Sequence, residues 1–308
     1  MITDSDKNII IQSASAFLCE VHKMKVYNLS GYSLIVLHIA VAGFLAPAGW
    51  GPGLAMAVGF GYLLFVWFFG GVYLSDVMHM GIAHKTLNYR RWFIKSITLF
   101  YNTVGIYINP KSWVNRHRHH HHYSDKSGDP NKLSTDGFWK TMYLCVFPYK
   151  CISNLATDAI FKTWSFRLVS TPYYAVFAQF TSFGLLWMIT RNWKYTLALW
   201  LGVRVFALWI NMVQNYWTHE RRFGSRRYED PDDNAMNIGE WLPVTASFSA
   251  CWQNNHHHHS GMLRLSHAPN EYDFGYLTVR MLKLMGLVEP SPSGLQKPAD
   301  VQFQEIGL

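Results

Sequence analysis

The stretch YSLIVLHIAVAGFLAPAGW (residues 32–50) contains no Asp, Glu, Lys or Arg. A run of that length, wound as an α-helix, spans the roughly 30 Å hydrocarbon core of a bilayer. A second run, residues 53–74, follows after only a Pro/Gly turn at residues 46–53, so the two read as a helical hairpin. Residues 171–190 and 193–213 repeat the arrangement, joined by Arg191 and Asn192. The expectation is an all-α integral membrane protein with four transmembrane helices in two hairpins. Composition agrees: half the residues are hydrophobic and only 15% are charged, well below the usual quarter of a soluble chain. A mean hydropathy of +0.00 places the apolar residues in segments, with a polar body between them.

Two hairpins leave residues 1–31, 76–170 and 214–308 on one side, and those parts carry 24 of the 27 Lys and Arg residues. The positive-inside rule makes that side, with both termini, cytoplasmic. The loops on the other face are too short for an active site, so the chemistry belongs to a cytoplasmic cap from residues 76–170 and 214–288. The whole of residues 1–308 reads as one domain, with a tail at 289–308 whose Pro/Ser-rich start, 289–293, is expected at the surface and partly disordered. Residues 90–108 are apolar but broken by Lys95 and Asn102, which favours a helix lying in the interface or against the cap over a third span. The net charge of +8 suits anionic lipid head groups or an acidic carrier, and no nucleic-acid-binding motif accompanies it. Cys19, Cys145, Cys151 and Cys251 form no CxxC pair and read as reduced thiols. The first 30 residues show no secretion pattern. His38 and Arg204 lie inside spans, His38 as a packed polar residue, Arg204 as a structural group or a substrate contact.

The cap is dominated by histidine. Residues 113–131 read WVNRHRHHHHYSDKSGDPN, with five histidines in the six residues 117–122, and 12 of the chain's 15 histidines fall in four clusters. His117, His120 and His121 have the i, i+3, i+4 spacing of one helical face, so three imidazoles are expected to converge on one point, as a transition metal requires. Gln253, His256 and His257 repeat that spacing. Asn215 and His219 lie four apart after the fourth span. His79 and His84 are five apart, about 140° out of phase on a regular helix, so they are expected to serve two neighbouring ions instead of sharing one. The charged stretch after His219 holds Arg221, Arg222, Arg226 and Arg227, a solvated loop or a contact for an anionic acyl carrier.

Taken together the clusters resemble the membrane fatty acid desaturase family, in its acyl-chain Δ9-type branch. The family's three boxes, HxxxxH, HxxHH and HxxHH, appear as His79-MGIA-His84, His117-RH-His120-His121 and Gln253-NN-His256-His257. Asn215-x3-His219, Asp125, the Asp129-Pro130 pair and Glu271 to Asp273 match further elements, in order, from the first span to about residue 288. Gln253 departs from the family, which normally has histidine there; Met80, Asn131 and Ala250 are smaller departures.

The resemblance implies a non-haem di-iron centre with His79, His84, His117, His120, His121, His219, His256 and His257 as direct ligands. Asn215 would act through water, and Gln253 would offer a weaker oxygen or hold a water. Asp125 and Asp129 would orient ligand imidazoles, and His119, His122, His258 and His259 would stand outside the metal set. It further implies O2-dependent insertion of a cis double bond into an acyl chain carried by CoA, acyl carrier protein or a glycerolipid. Electrons would come from an external donor of the cytochrome b5, ferredoxin or rubredoxin type. Trp113, Trp139, Trp217 and Trp252 would line an acyl tunnel or pack the core. Hydroxylation, acetylenic-bond formation and terminal alkene or alkyne formation are sister reactions on the same scaffold. A non-enzymatic membrane metal-binding protein is the reading from another class.

Overall fold

The computed structural model describes residues 25–130, 137–148, 151, 153–296 and 298–301. Cys19, Asn131 and most of the entry segment lie outside them. Helix α1 (Val26–Phe44) starts six residues before the apolar run and ends six before its close, because Pro47 and the glycines around it cannot continue a helix. Pro52 then opens α2 (Pro52–Gly71) at its first turn, where a missing N–H costs nothing. The helix does not stop at residue 74. It runs on into a π-helical segment, Val72–Ala83, that carries the first histidine pair.

Strand β1 (Leu87–Tyr89) is followed by α3 (Arg91–Val104). Fourteen residues of helix reach only about 21 Å, too short to span, and α3 buries Phe93, Ile94, Ile97 and Tyr101 while Trp92 stays exposed. It lies against the body, one of the two places the sequence suggested. Helix α4 (Pro110–Tyr123) starts where the Asn109 side chain accepts from Ser112 N and Pro110 fills the first turn. Short helices α5 (Phe138–Val146) and α6 (Trp164–Val169) lead to α7 (Pro172–Thr190). Asn192 then caps α8 (Trp193–Asn215), which a 3-10 turn, Trp217–His219, extends. The rest of the cap holds α9 (Trp241–Ala246), α10 (Gln253–His258) and α11 (Phe274–Leu284).

Among the described residues, three stretches are long and apolar enough to cross a membrane: Val26–Phe44, Pro52–Ala83 and Trp193–His219. Small residues let them close up. Gly31 lies under the Trp209 ring, whose indole N–H donates to Tyr27 O, and Gly59 lies against Ala42. His38 is a packing residue, its Nε2 3.0 Å from Gly59 O. Arg204 is bound within the α7–α8 pair, stacked on Trp200 at 3.4 Å and donating to Gln179 Oε1 and Trp200 O. It is not among the residues that line the cavity described below.

The tail corrects the sequence reading in part: Glu289, Pro292 and Ser293 are at the surface as expected, but the stretch is ordered. Val288–Pro290 forms strand β2, antiparallel to β1 with Leu87 opposite Pro290, and Ser291 is buried, its backbone N–H donating to Thr86 O. A stretch rich in Pro and Ser thus finds order through backbone pairing that its side chains do not announce. It braces the chain just beyond His84.

Candidate metal centre

The π-helical segment decides how the first pair of histidines is used. Its wider turn is closed by i→i+5 bonding, seen where His84 N donates to His79 O at 3.0 Å. Residues five apart then stack one turn above the other, and the two rings lie 4.9 Å apart. The expectation that His79 and His84 serve separate ions is therefore overturned: it assumed 3.6 residues per turn, which this segment does not have.

Five imidazoles, His79, His84, His117, His121 and His256, bring one ring nitrogen each within 4.8 Å of all the others. The Nε2 atoms of His79 and His256 are 2.9 Å apart, those of His84 and His117 2.8 Å, and those of His256 and His121 3.1 Å. Burial, reinforced by neighbouring imidazoles, holds His84, His117, His121 and His256 well below the ordinary histidine range. They stay neutral and keep the lone pairs that a cation needs.

A second group, His120, His219 and His257, adjoins the first, with the His121 and His257 rings 4.5 Å apart. Every ring here is backed by a carboxylate. His120 Nδ1 lies 2.9 Å from Asp129 Oδ2, His219 Nδ1 3.2 Å from Asp125 Oδ2, and His257 Nδ1 2.6 Å from Asp233 Oδ2. A proton on each Nδ1 turns the Nε2 lone pair inward, the arrangement that metal-bound histidines use. The Nε2 atoms of His219 and His257 are buried with no hydrogen-bond partner, which is what a missing ligand bond leaves behind. Burial disfavours a charge on His120, but the Asp129 carboxylate outweighs it and raises the ring to about 9. His257 goes the other way, since burial exceeds the help from Asp233. Burial works against the charge of Asp125 as well, but its imidazole partner His219 holds the carboxyl below the usual range.

His117, His120 and His121 therefore do not converge on one point. His117 and His121, four apart, face the five-histidine group, and His120 faces the three-histidine group; the spacing was right and the single focus was not. His256 and His257 divide in the same way. Of the remaining sequence candidates, Gln253 is buried with its Oε1 unpartnered, and Asn215 donates its Nδ2 to Asn211 O at 2.9 Å. Both line a cavity that also touches His79, His117 and His120. Leu63 and Val66 of α2 and Val203 and Phe206 of α8 give that cavity apolar walls, while Arg116, Asn211 and Gln214 add polar groups to the lining. Leu63 precedes His79 by four turns, so the lining runs roughly 20 Å from the rings into the paired long helices.

His119 is buried but satisfied by Asn115 O and Ser153 Oγ, and His122 is exposed. Trp113 lines the cavity and stacks on His117, Trp217 and Trp252 are core, and Trp139 is exposed. The four arginines part company. Arg226 is half-buried, and its guanidinium is taken up by Asp233 O and Asp230 O, which fixes the loop that carries Asp233. Arg227 pairs with Glu271, and Arg221 and the exposed Arg222 bond to Asn234 and Glu220. Asp233 is the residue that sequence reasoning missed. Its one visible signal was an acidic turn, EDPDDN, between the last two histidine clusters, as Asp125 and Asp129 follow the second.

No family model matches the chain. It is 25% identical over 254 residues to the Delta-9 acyl-lipid desaturase 1 of Arabidopsis thaliana, covering 80% of this chain and 77% of the relative. It is 28% identical to the sn-1 stearoyl-lipid 9-desaturase of Anabaena variabilis, over 75% of this chain and 82% of the relative. The palmitoyl-monogalactosyldiacylglycerol delta-7 desaturase of Arabidopsis thaliana is 24% identical, over 90% of this chain and 71% of its own. These relatives support a membrane fatty acid desaturase family, and with it an oxidoreductase.

Proposed function

We propose that this chain is an O2-dependent fatty acyl desaturase that introduces a cis double bond into an acyl chain at a non-haem di-iron centre. The observation that carries the proposal is the joining of two imidazole groups to one cavity with apolar walls in the long helices. Neutral imidazoles in the five-histidine group and the orphaned Nε2 atoms of His219 and His257 fit two transition-metal ions, and imidazole suits iron; an ion at His120 would displace the proton that Asp129 helps that ring to hold. His79, His84, His117, His121 and His256 would hold one ion, and His120, His219 and His257 the other. Asn215 and Gln253 would offer oxygens from the cavity wall, directly or through water. Two iron ions bound there would supply the O2 activation and C–H cleavage that no amino-acid side chain performs.

The chain's own contribution is placement. Leu63, Val66, Val203 and Phe206 exclude water and hold an extended apolar chain, so the bond that reaches the histidines is set by distance along the cavity. Asp125, Asp129 and Asp233 hold protons on the Nδ1 atoms of their imidazoles and fix the rings. The relatives are named for acyl-lipid substrates, which favours a glycerolipid-bound acyl chain over a CoA or acyl-carrier-protein thioester. Electrons come from a separate donor of cytochrome b5, ferredoxin or rubredoxin type.

In this reading α7 is the fourth span, making two hairpins around a single domain whose cap and termini face the cytoplasm. Tyr173, Phe180 and Ile189 of α7 are 85%, 75% and 68% exposed, a surface suited to lipid and not to water. The experiment is expression in a host lacking unsaturated fatty acids, with lipid and thioester profiling. A new monounsaturated chain that disappears with His120→Ala is expected; the same product from that variant would sink the site. Gln253 favours one second reading, hydroxylation, acetylenic-bond formation or terminal alkene or alkyne formation, because an oxygen donor in place of imidazole alters the ion's surroundings. Gln253→His then shifts the product mixture toward the simple alkene. An unchanged product and iron content would make Gln253 incidental.

A further inference from the structure

We propose that His258, His259 and Asp300 form a third metal site, mononuclear and at the surface, for a divalent transition ion such as Zn2+ or Fe2+. These histidines are what the inner centre leaves over. One nitrogen of each ring and one Asp300 oxygen lie within 4.8 Å of one another. His259 Nε2 is 3.1 Å from Asp300 Oδ2, and His258 Nε2 is 4.0 Å from the same oxygen. Two rings from adjacent positions of α10 and its end thus aim at a single carboxylate oxygen from a segment more than 40 residues away.

The surroundings are built as they are at the inner centre. His258 Nδ1 lies 2.9 Å from Asp230 Oδ2, so its proton sits there and its Nε2 lone pair faces Asp300. Tyr228 stacks flat on the same ring, 4.0 Å between centroids at 8°, and fixes its plane. Asp230 and Asp233 belong to one turn, closed by Asp233 N donating to Asp230 O and gripped by Arg226 through both backbone carbonyls. One loop therefore supplies the carboxylate behind His257 inside and the carboxylate behind His258 outside. Buried His267 forms the back wall, its Nδ1 3.1 Å from Tyr228 Oη and its ring 5.5 Å from His259.

Two imidazoles and one carboxylate leave positions open for water and suit Zn2+ or Fe2+, whereas Ca2+ and Mg2+ take all-oxygen sets. An ion there ties Asp300 to the loop that orients His257, so its occupancy stiffens one wall of the inner centre. The competing account is a chain of three surface ion pairs, Asp230–His258–Asp300–His259, in which a charged His258 donates from both ring nitrogens; it binds no metal, and retained metal separates the two accounts.

The test uses the full chain in detergent, stripped with a chelator, titrated with Zn2+, desalted and analysed for retained metal. The parent is expected to hold one equivalent more than the His259→Ala/Asp300→Asn double variant. His258→Gln, which keeps the backbone and the closer His259–Asp300 ion pair, is expected to lose the same equivalent. The one-equivalent difference should persist in a His120→Ala background, which separates this site from whatever fills the inner centre. Equal retention by parent and variants would overturn the proposal, leaving ion pairs only. So would a difference of two or more equivalents, which would make the cluster a support of the inner centre.

Discussion

The five-histidine and three-histidine groups share one cavity wall, yet different forces hold them. Around His120, His219 and His257 each ring is oriented by a carboxylate, Asp129, Asp125 and Asp233. Around His79, His84, His117, His121 and His256 no carboxylate is hydrogen-bonded to a ring among the described residues. Those rings are set by helix geometry and packing: a π-helical segment aligns His79 with His84, and Trp113 stacks on His117 at 5.1 Å. A charge-braced group tolerates backbone adjustment and is sensitive to the loss of a carboxylate; a packing-braced group has the opposite weakness. The largest effects come from removing a ring on either side. His120→Ala and His256→Ala should each abolish product, with iron falling from about two per chain toward one, read by elemental analysis. Either variant keeping both ions would dissolve the division into two groups.

Next in size is a change that touches the backbone of one group alone. Gly81 lies in the π-helical segment, and a Cβ there would meet the Tyr89 ring at 2.1 Å, while Tyr89 Oη donates to Asp76 O. Neither partner is a free side-chain end, so Gly81→Ala must move the segment, at ~1–3 kcal/mol of stability. Iron loss should begin at the five-histidine group, with activity falling more than Tm alone explains. A variant with parent-like Tm and full activity would show that the π-turn is not what holds His79 to His84.

How far this was readable from sequence follows the same division. Histidine spacing exposed His117 with His121, because local helix periodicity governs them. It failed for His79 and His84, since nothing in DVMHMGIAHK marks the change from 3.6 residues per turn to the wider π-turn. Asp233 was hidden for another reason: it meets His257 from 24 residues away, and an acidic loop at the surface looks the same whether or not one of its members turns inward. The apolar runs gave the long helices but not the ordering of Val288–Pro290, which rests on backbone pairing with Leu87–Tyr89.

Carboxylate removal comes third. Asp233→Asn keeps size and replaces an acceptor that holds the Nδ1 proton of His257 with an amide whose N–H2 competes for it. The carboxylate-braced ion should bind 10–100-fold more weakly, with the five-histidine group unchanged. Asp233 is ionised well below the ordinary carboxyl range: burial opposes its charge, but the bond from His257 outweighs it. The wild-type brace is therefore present across the neutral range and is lost only in strong acid, as pH falls through the depressed folded value. The variant lacks it at every pH, so the affinity difference between the two should be flat from pH 6 to 8. A difference that vanished within that window would mean that Asp233 is not the charged partner.

The smallest effects separate two neighbouring arginines and sharpen the account of the loop. Arg222 is exposed and pairs with Glu220, two residues away, so Arg222→Ala should leave Tm and metal content unchanged. Arg226 is half-buried, and its guanidinium donates to the carbonyls of Asp230 and Asp233 and to Tyr228 O. Arg226→Ala removes those donors from part-buried acceptors and frees the turn that presents Asp233. Its effect should resemble a mild form of Asp233→Asn: weaker metal retention at the three-histidine group, little change at the other, and no dependence on the charge of the acyl carrier. Arg226→Lys should recover only part of it, because one ammonium cannot reach three carbonyls fixed in the plane of a guanidinium fork. If instead Arg222→Ala and Arg226→Ala both raised KM for an anionic acyl carrier while metal stayed bound, the loop would be a docking surface and not a brace. His257 would then have to owe its orientation to Asp233 alone.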